Sequence, residues 1–164
     1  MPNVFFCGAA VVMLLAFASP ASAVPPAAVP AQAVPEAARA AAAAVDAFHA
    51  ALRRGDEKAA LALVADDALV FEEGRAERSK SEYAASHAAA DAAFSRAVPS
   101  VRSRRTGHAS ADLAWVSSES RTKGRFRGQD VDRIMVETMV LRRDPAGAWK
   151  IIHIHWSSAE PSTE

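Results

Sequence analysis

Cysteine is almost missing from this chain of 164 residues; Cys7 is the only one. A single thiol excludes an internal disulfide framework and any cysteine-based zinc site. A surplus of either charge is also missing, because 19 Lys and Arg balance 19 Asp and Glu. Nucleic-acid binders need a basic excess to displace counterions, so no nucleic-acid partner is expected. The chain has no glycine-rich phosphate loop and no Ser-His-Asp nucleophile order. Charged residues are absent altogether before Glu36.

That uncharged opening has two parts. Val4 to Phe17 is nearly all apolar, and Ala21-Ser22-Ala23 is a small-x-small cleavage pattern. Together they predict a secretory signal peptide over residues 1–23 and export to a periplasm or beyond. Met1-Pro2-Asn3 supplies no Lys or Arg, which leaves an uncleaved anchor as the alternative. The run is short for a spanning helix, and no stable membrane span is expected once it is cut. Cys7 would leave with it, which suits an oxidising compartment. Residues 24–35 carry Pro25, Pro26, Pro30 and Pro35 and read as an extended linker.

Residues 36–159 have the pattern of one folded domain, followed by a polar tail at 160–164. Alanine-rich Glu36 to Arg54 predicts a first helix, with Val45, Phe48 and Leu52 on one stripe. Asp46, His49 and Arg53 fall on the other side, where His49 is expected in solvent. Gly55 and Asp56 read as a helix stop and an N-cap, so a second helix spans Glu57 to Val64. Ala68 to Glu72 is a short strand. Ser79-Lys80-Ser81-Glu82 is a capping box that opens a third helix running to about Ser95. After Pro99 the β-formers take over: Val101 to Ala109, Leu113 to Arg125, Val131 to Arg143, and Ala148 to Ser158. Asp144-Pro145-Ala146-Gly147 fits a type I turn. Helices first and a meander after indicate an α+β fold: three helices packed on a curved antiparallel sheet, with a pocket between them.

Several ionisable residues stand where ordinary packing would exclude them. Tyr83, His87, Asp91 and Phe94 share a stripe of the third helix. Tyr83 is a pocket hydroxyl or plain packing. Glu137 lies between Val136 and Thr138 in an apolar strand and needs a partner, with Arg121 or Arg133 in reach. His153 and His155 share one face of the last strand, and Ile152, Ile154 and Trp156 share the other. Alternation leaves both faces open as the pocket wall, and a bulge would change the choice. Trp156 is a pocket wall or core. His-x-His alone is a weak metal signal, so no metal or cofactor is expected. Between Arg96 and Arg133 nine basic residues face four acidic ones. That excess is either a solvated set of strand faces or the mark of an anionic ligand.

Three stretches carry a family likeness in combination: Phe48-His49-Ala50-Ala51-Leu52-Arg53-Arg54-Gly55-Asp56, Leu63-Val64-Ala65-Asp66-Asp67-Ala68, and the Trp-Lys-Ile-Ile-His-Ile-His-Trp-Ser ending. Over Glu36 to Ser158 the chain resembles the nuclear-transport-factor-2-like superfamily, and within it the SnoaL-like group. The resemblance implies a cone-shaped α+β barrel, often a homodimer through its sheet, with a small-molecule pocket between helices and sheet. It covers isomerases, cyclases, binding proteins and assembly domains alike, so fold does not settle function. In the isomerase pattern the base position matches Glu72 and a protonated acid falls near Glu137. The tyrosine donor position matches Phe48, which has no hydroxyl.

The candidate catalytic residues are therefore Glu72, His87, Asp91 and Glu137. The candidate ligand-binding residues are Phe48, Tyr83, His155 and Trp156. Three functions remain open: an exported pocket protein binding a small, partly apolar molecule; an acid–base enzyme acting on a small carbonyl compound; or an oligomeric interaction domain.

Overall fold

A computed structural model describes residues 34–162 of the chain. The expected signal peptide, residues 24–33 of the linker and the last two residues of the tail lie outside the described residues.

A 3-10 turn at Glu36–Ala38 leads into α1 (Arg39–Arg54). Val45, Phe48 and Leu52 are buried as the stripe predicts. Asp56 caps α2 (Glu57–Ala62), its Oδ1 accepting from the Ala59 N–H at 3.0 Å. This helix stops short of the predicted Val64. That residue instead opens β1 (Val64–Glu72), where it is buried against Ile151. A turn at Glu73-Gly74, both with positive φ, returns the chain as β2 (Arg75–Glu77). Three residues are too few to show an alternating pattern, so β2 was not expected.

The predicted third helix is two: α3 (Lys80–Ser86) and α4 (Ala88–Ala97). The Ser79 hydroxyl caps α3 by accepting from the Glu82 N–H at 3.1 Å. The break falls at His87, whose ring hydrogen-bonds Glu77 of β2. Backbone bonds from His87 to Tyr83 and from Asp91 to His87 keep the two segments in line.

β3 (Ser100–Ser110), β4 (Leu113–Phe126), β5 (Gln129–Arg143) and β6 (Trp149–Ala159) form the expected antiparallel meander. The sheet order is β2-β1-β6-β5-β4-β3, an open six-stranded sheet. It is not wholly antiparallel, since β1 runs parallel to β6. Register shifts between Arg102 and Arg104, and between Val140 and Leu141, mark bulges that bend it.

The second bulge resolves the face of the last strand. Trp149 and Ile151 are buried, the alternation slips at Ile152, and then Ile154 and Trp156 are buried. Each candidate face thus supplies half of the inner wall. Phe48, Leu52, Met139, Leu141, Ile151 and Ile154 form the fully buried core between α1 and the sheet. Each such side chain contributes about 1.5–3 kcal/mol by leaving water.

At Gly107 the backbones of β3 and β4 approach so closely that a Cβ would lie 2.8 Å from the Trp115 carbonyl oxygen. Gly107→Ala is expected to cost about 1–3 kcal/mol by overpacking against backbone that cannot swing aside. Calorimetry checks it; an unchanged melting temperature would refute the tight approach.

Candidate functional site

One row of residues crosses the inner face of the sheet. Glu72 of β1 pairs with Trp156 of β6, Trp156 with Glu137 of β5, Glu137 with Ser118 of β4, and Ser118 with Arg105 of β3. A second row sets Ser158, Met135, Ser120 and Arg102 beside it. α1 and α4 roof these rows and enclose a cavity of about 480 Å³. α1 contributes Asp46, His49, Leu52 and Arg53, and α4 contributes Asp91, Phe94 and Ser95, with Val98 just beyond it. The wall is mixed: apolar Leu52, Phe94, Val98, Met135 and Trp156 alternate with ionisable groups.

Glu137 sits at the middle. Its Oε2 accepts from Trp156 Nε1 at 2.8 Å and pairs with His49 Nε2 at 2.7 Å. Burial pushes this carboxyl upward. The His49 hydrogen bond and charge outweigh that, helped by the Trp156 N–H and the Arg105 charge, and hold it below the usual glutamate range. Neither Arg121 nor Arg133 is its partner, contrary to expectation. Arg121 lies on the outer face and holds Asp132 with two bonds of 2.8 Å, and Arg133 donates to Ser158. His49 is a correction too. It faces the cavity rather than solvent, because α1 uses one side for the core and the adjoining side for the site.

The β1 end is acidic. Burial, then the nearby Asp91 charge, raise the Glu72 carboxyl to about 7, although the His87 charge opposes them. Burial also raises Asp91, against the hydrogen bond that the Tyr83 hydroxyl donates to its Oδ2 at 2.8 Å. Tyr83 is fully buried, and its own hydroxyl is pushed upward by burial and by Asp91. It positions Asp91 and does not line the cavity. His87 bonds Glu77 through Nδ1, and Ser86 donates to the same oxygen at 3.1 Å. The His87 ring lines a second, more open depression shared with Glu72 and Asp91.

The β3 end is basic. Arg102 Nη1 and Arg105 Nη1 both donate to Asp46 Oδ1, at 2.9 and 2.7 Å. Burial works against the Asp46 charge, but the two arginines hold its carboxyl below the ordinary range.

The structure therefore brings Glu72, Asp91, Glu137 and Trp156 to one cavity, with His87 beside it. Phe48 packs beneath, stacked on Trp156 at 6.3 Å between ring centres, and does not line the wall. His155 is exposed on the outer sheet face with His153, since the slip at Ile152 turned Trp156 inward in its place. His49, Asp46, Arg53, Arg102, Arg105 and Glu77 were missed. The signals were the polar side of α1 and the basic run after Arg96. Among the described residues no group of three or more His, Asp or Glu side chains is placed to hold a metal ion.

Residues 41–161 match the SnoaL-like domain family. Solved structures similar to the chain include a candidate ketosteroid isomerase from Shewanella frigidimarina, 35% identical over 72% of this chain and 94% of that one, TM-score 0.69. Another is a ketosteroid isomerase-like protein from Erwinia carotovora atroseptica, 24% identical over 77% and 98%, TM-score 0.60. A candidate dehydratase of the NTF2-like family from Streptomyces avermitilis is 21% identical over 74% and 95%, TM-score 0.62. No curated protein matches the chain.

The Glu72 carboxyl gives a pH signature. Native Glu72 keeps its proton to about 7, whereas an unfolded glutamate releases it near 4.5. Between those values the native state binds more protons, so stability falls as pH rises through the window. Glu72→Gln removes that fall. Relative to the parent, the variant should gain about 1–2 kcal/mol between pH ~4 and pH ~8, a figure already reduced for partial solvent exposure. Denaturant titrations at both pH values decide it; parallel changes in the two proteins would show that Glu72 is an ordinary carboxylate.

Proposed function

Because the chain belongs to the SnoaL-like domain family, we propose that it is an exported protein whose cavity binds a small, partly apolar molecule. The observation that carries this reading is the roofed cavity of about 480 Å³ whose apolar wall is interrupted by a few placed ionisable groups. Ligand sites have that size and that mixture. Export rests on the apolar run and the Ala21-Ser22-Ala23 pattern near the N-terminus.

A second reading is favoured by one specific observation, the Glu72 carboxyl poised near neutrality beside Asp91, whose own carboxyl burial raises. In that reading the chain is an acid–base enzyme acting on a carbonyl compound. Ionised Glu72 takes a proton from the carbon next to the carbonyl. The C–H electron pair moves toward the carbonyl oxygen, and Asp91, whose carboxyl burial raises, is the acid assigned in this reading to hydrogen-bond that oxygen. Tyr83 keeps Asp91 oriented for the task. The similar structures described as ketosteroid isomerase-like support proton transfer of this class. The tyrosine donor of the isomerase pattern falls on Phe48, so Asp91 has to stand in for it.

The cavity reading is tested by thermal-shift measurements with small enolisable ketones and their alcohols, on the parent and on Ser120→Phe, which fills the cavity from β4. The parent should gain stability with ligand and the filled variant should not; equal responses would place binding elsewhere. For the enzyme reading, Glu72→Gln should lower turnover about a hundredfold or more while affinity stays within about threefold. Binding without turnover in the parent leaves the chain a binding protein.

The outer sheet face suits a second copy of the chain. Leu69, Phe71, Trp115, Ile134 and Val136 are exposed there on one side of the sheet, interleaved with His153, His155 and Thr138. Val136→Glu should convert a dimer to monomers in sedimentation velocity. A parent that sediments as a monomer at micromolar concentration would remove this assembly.

A further inference from the structure

The basic run after Arg96 finds part of its explanation inside the cavity. Strict alternation from Arg102 would put Arg105 on the outer face of β3. The bulge between Arg102 and Arg104 turns Arg105 inward, so two guanidiniums share the inner wall and both donate to one oxygen of Asp46. Arg53, on α1, lines the same end. One ionised carboxylate thus stands among three cations. The other nearby acid, Glu137, is held by His49 and Trp156. At the far end burial raises both the Glu72 carboxyl, to about 7, and that of Asp91.

Arg105 is the telling member. Its side chain is only 9% exposed, against 48% for Arg102. It spends Nε on Ser118 and Nη1 on an acceptor it must share. A cation that far from water, bonded to a carboxylate oxygen it must share and otherwise facing the Glu137 charge, stands to gain from a further anion. Between it and Glu72 the wall includes Trp156, Met135 and Phe94, which suit an apolar stem, beside Ser118 and the His49-paired Glu137.

We propose that the ligand of this cavity is an amphipathic monocarboxylate, whose anionic head docks on Arg105 and Arg102 and whose apolar body lies along Met135 and Phe94 toward Glu72. The inference rests on the cavity being a ligand site and names the chemical class it takes. It also orients the molecule: the carboxylate goes to β3, and the far end of the chain meets the Glu72–Asp91 pair.

Calorimetric titration with octanoate and with n-octanol tests it, since the two share a stem and differ in the head. Octanoate should bind about tenfold more tightly or better, and added salt should weaken octanoate alone. Arg105→Gln should abolish that preference and leave n-octanol binding unchanged. Arg102→Gln, at a more exposed site, should reduce it and guards against an Arg105 variant that fails to fold. If n-octanol binds as well as octanoate and Ser120→Phe blocks both, the cavity is a ligand site but not for acids, and this inference falls alone. Octanoate binding that survives Ser120→Phe also overturns it. If neither compound binds the parent, the inference and the cavity reading fall together.

Discussion

The pairing of Glu137 with His49 and Trp156 ties the structure to its site. Glu137 is the centre of a row that spans five strands, and a charge buried there without partners would cost several kcal/mol. His49 reaches it from α1 and Trp156 from β6, so two bonds to one carboxylate oxygen tie the helix over the sheet and the last strand beside β5. Phe48 stacks on the ring of the same Trp156. Core and cavity therefore meet on one indole: its face packs against the helix, its N–H serves the carboxylate, and its edge forms the wall.

That arrangement divides the cavity electrically. On one side of Glu137 two carboxyl groups share a dry region, and burial raises both, Glu72 to about 7. On the other side arginines outnumber their acid. The division follows from strand order. β1 lies at one end of the row and β3 at the other, four strand spacings apart, or about 19 Å along a flat sheet. A molecule bound in such a gradient has one favoured direction.

The α+β layering, the stripe on α1, the caps at Asp56 and Ser79 and the four-stranded meander were legible in the sequence, because each is written in local periodicity and turn chemistry. The site was legible only in part. Glu72, Asp91 and Glu137 stood out as ionisable groups in apolar company. His49 did not, because a residue beside a core stripe reads as surface until the sheet's curvature is known. Arg105 and His155 were hidden for one shared reason. A bulge shifts alternation by one residue and exchanges the inside of a strand for the outside. Nothing local in Arg102-Ser103-Arg104 or Ile151-Ile152-His153 announces that shift. The parallel pairing of β1 with β6 was equally invisible, since strand neighbours far apart in sequence leave no local mark.

The two bulges therefore decide which side chains of β3 and β6 face the cavity. A sheet of the same order without the slip at Ile152 would turn His155 toward the helices and Trp156 to the outside, leaving Glu137 without its indole donor. Without the slip beside Ser103, Arg104 would face the helices and Arg105 would leave the cavity. Both changes preserve the layers, the helices and most of the core. Chains that share this architecture can thus differ in the charge and shape of their cavities through single-residue offsets in strand register. That explains physically why likeness of fold says little about ligand here, and why the inward set of residues on β3 and β6 is the feature by which relatives of this chain should be compared.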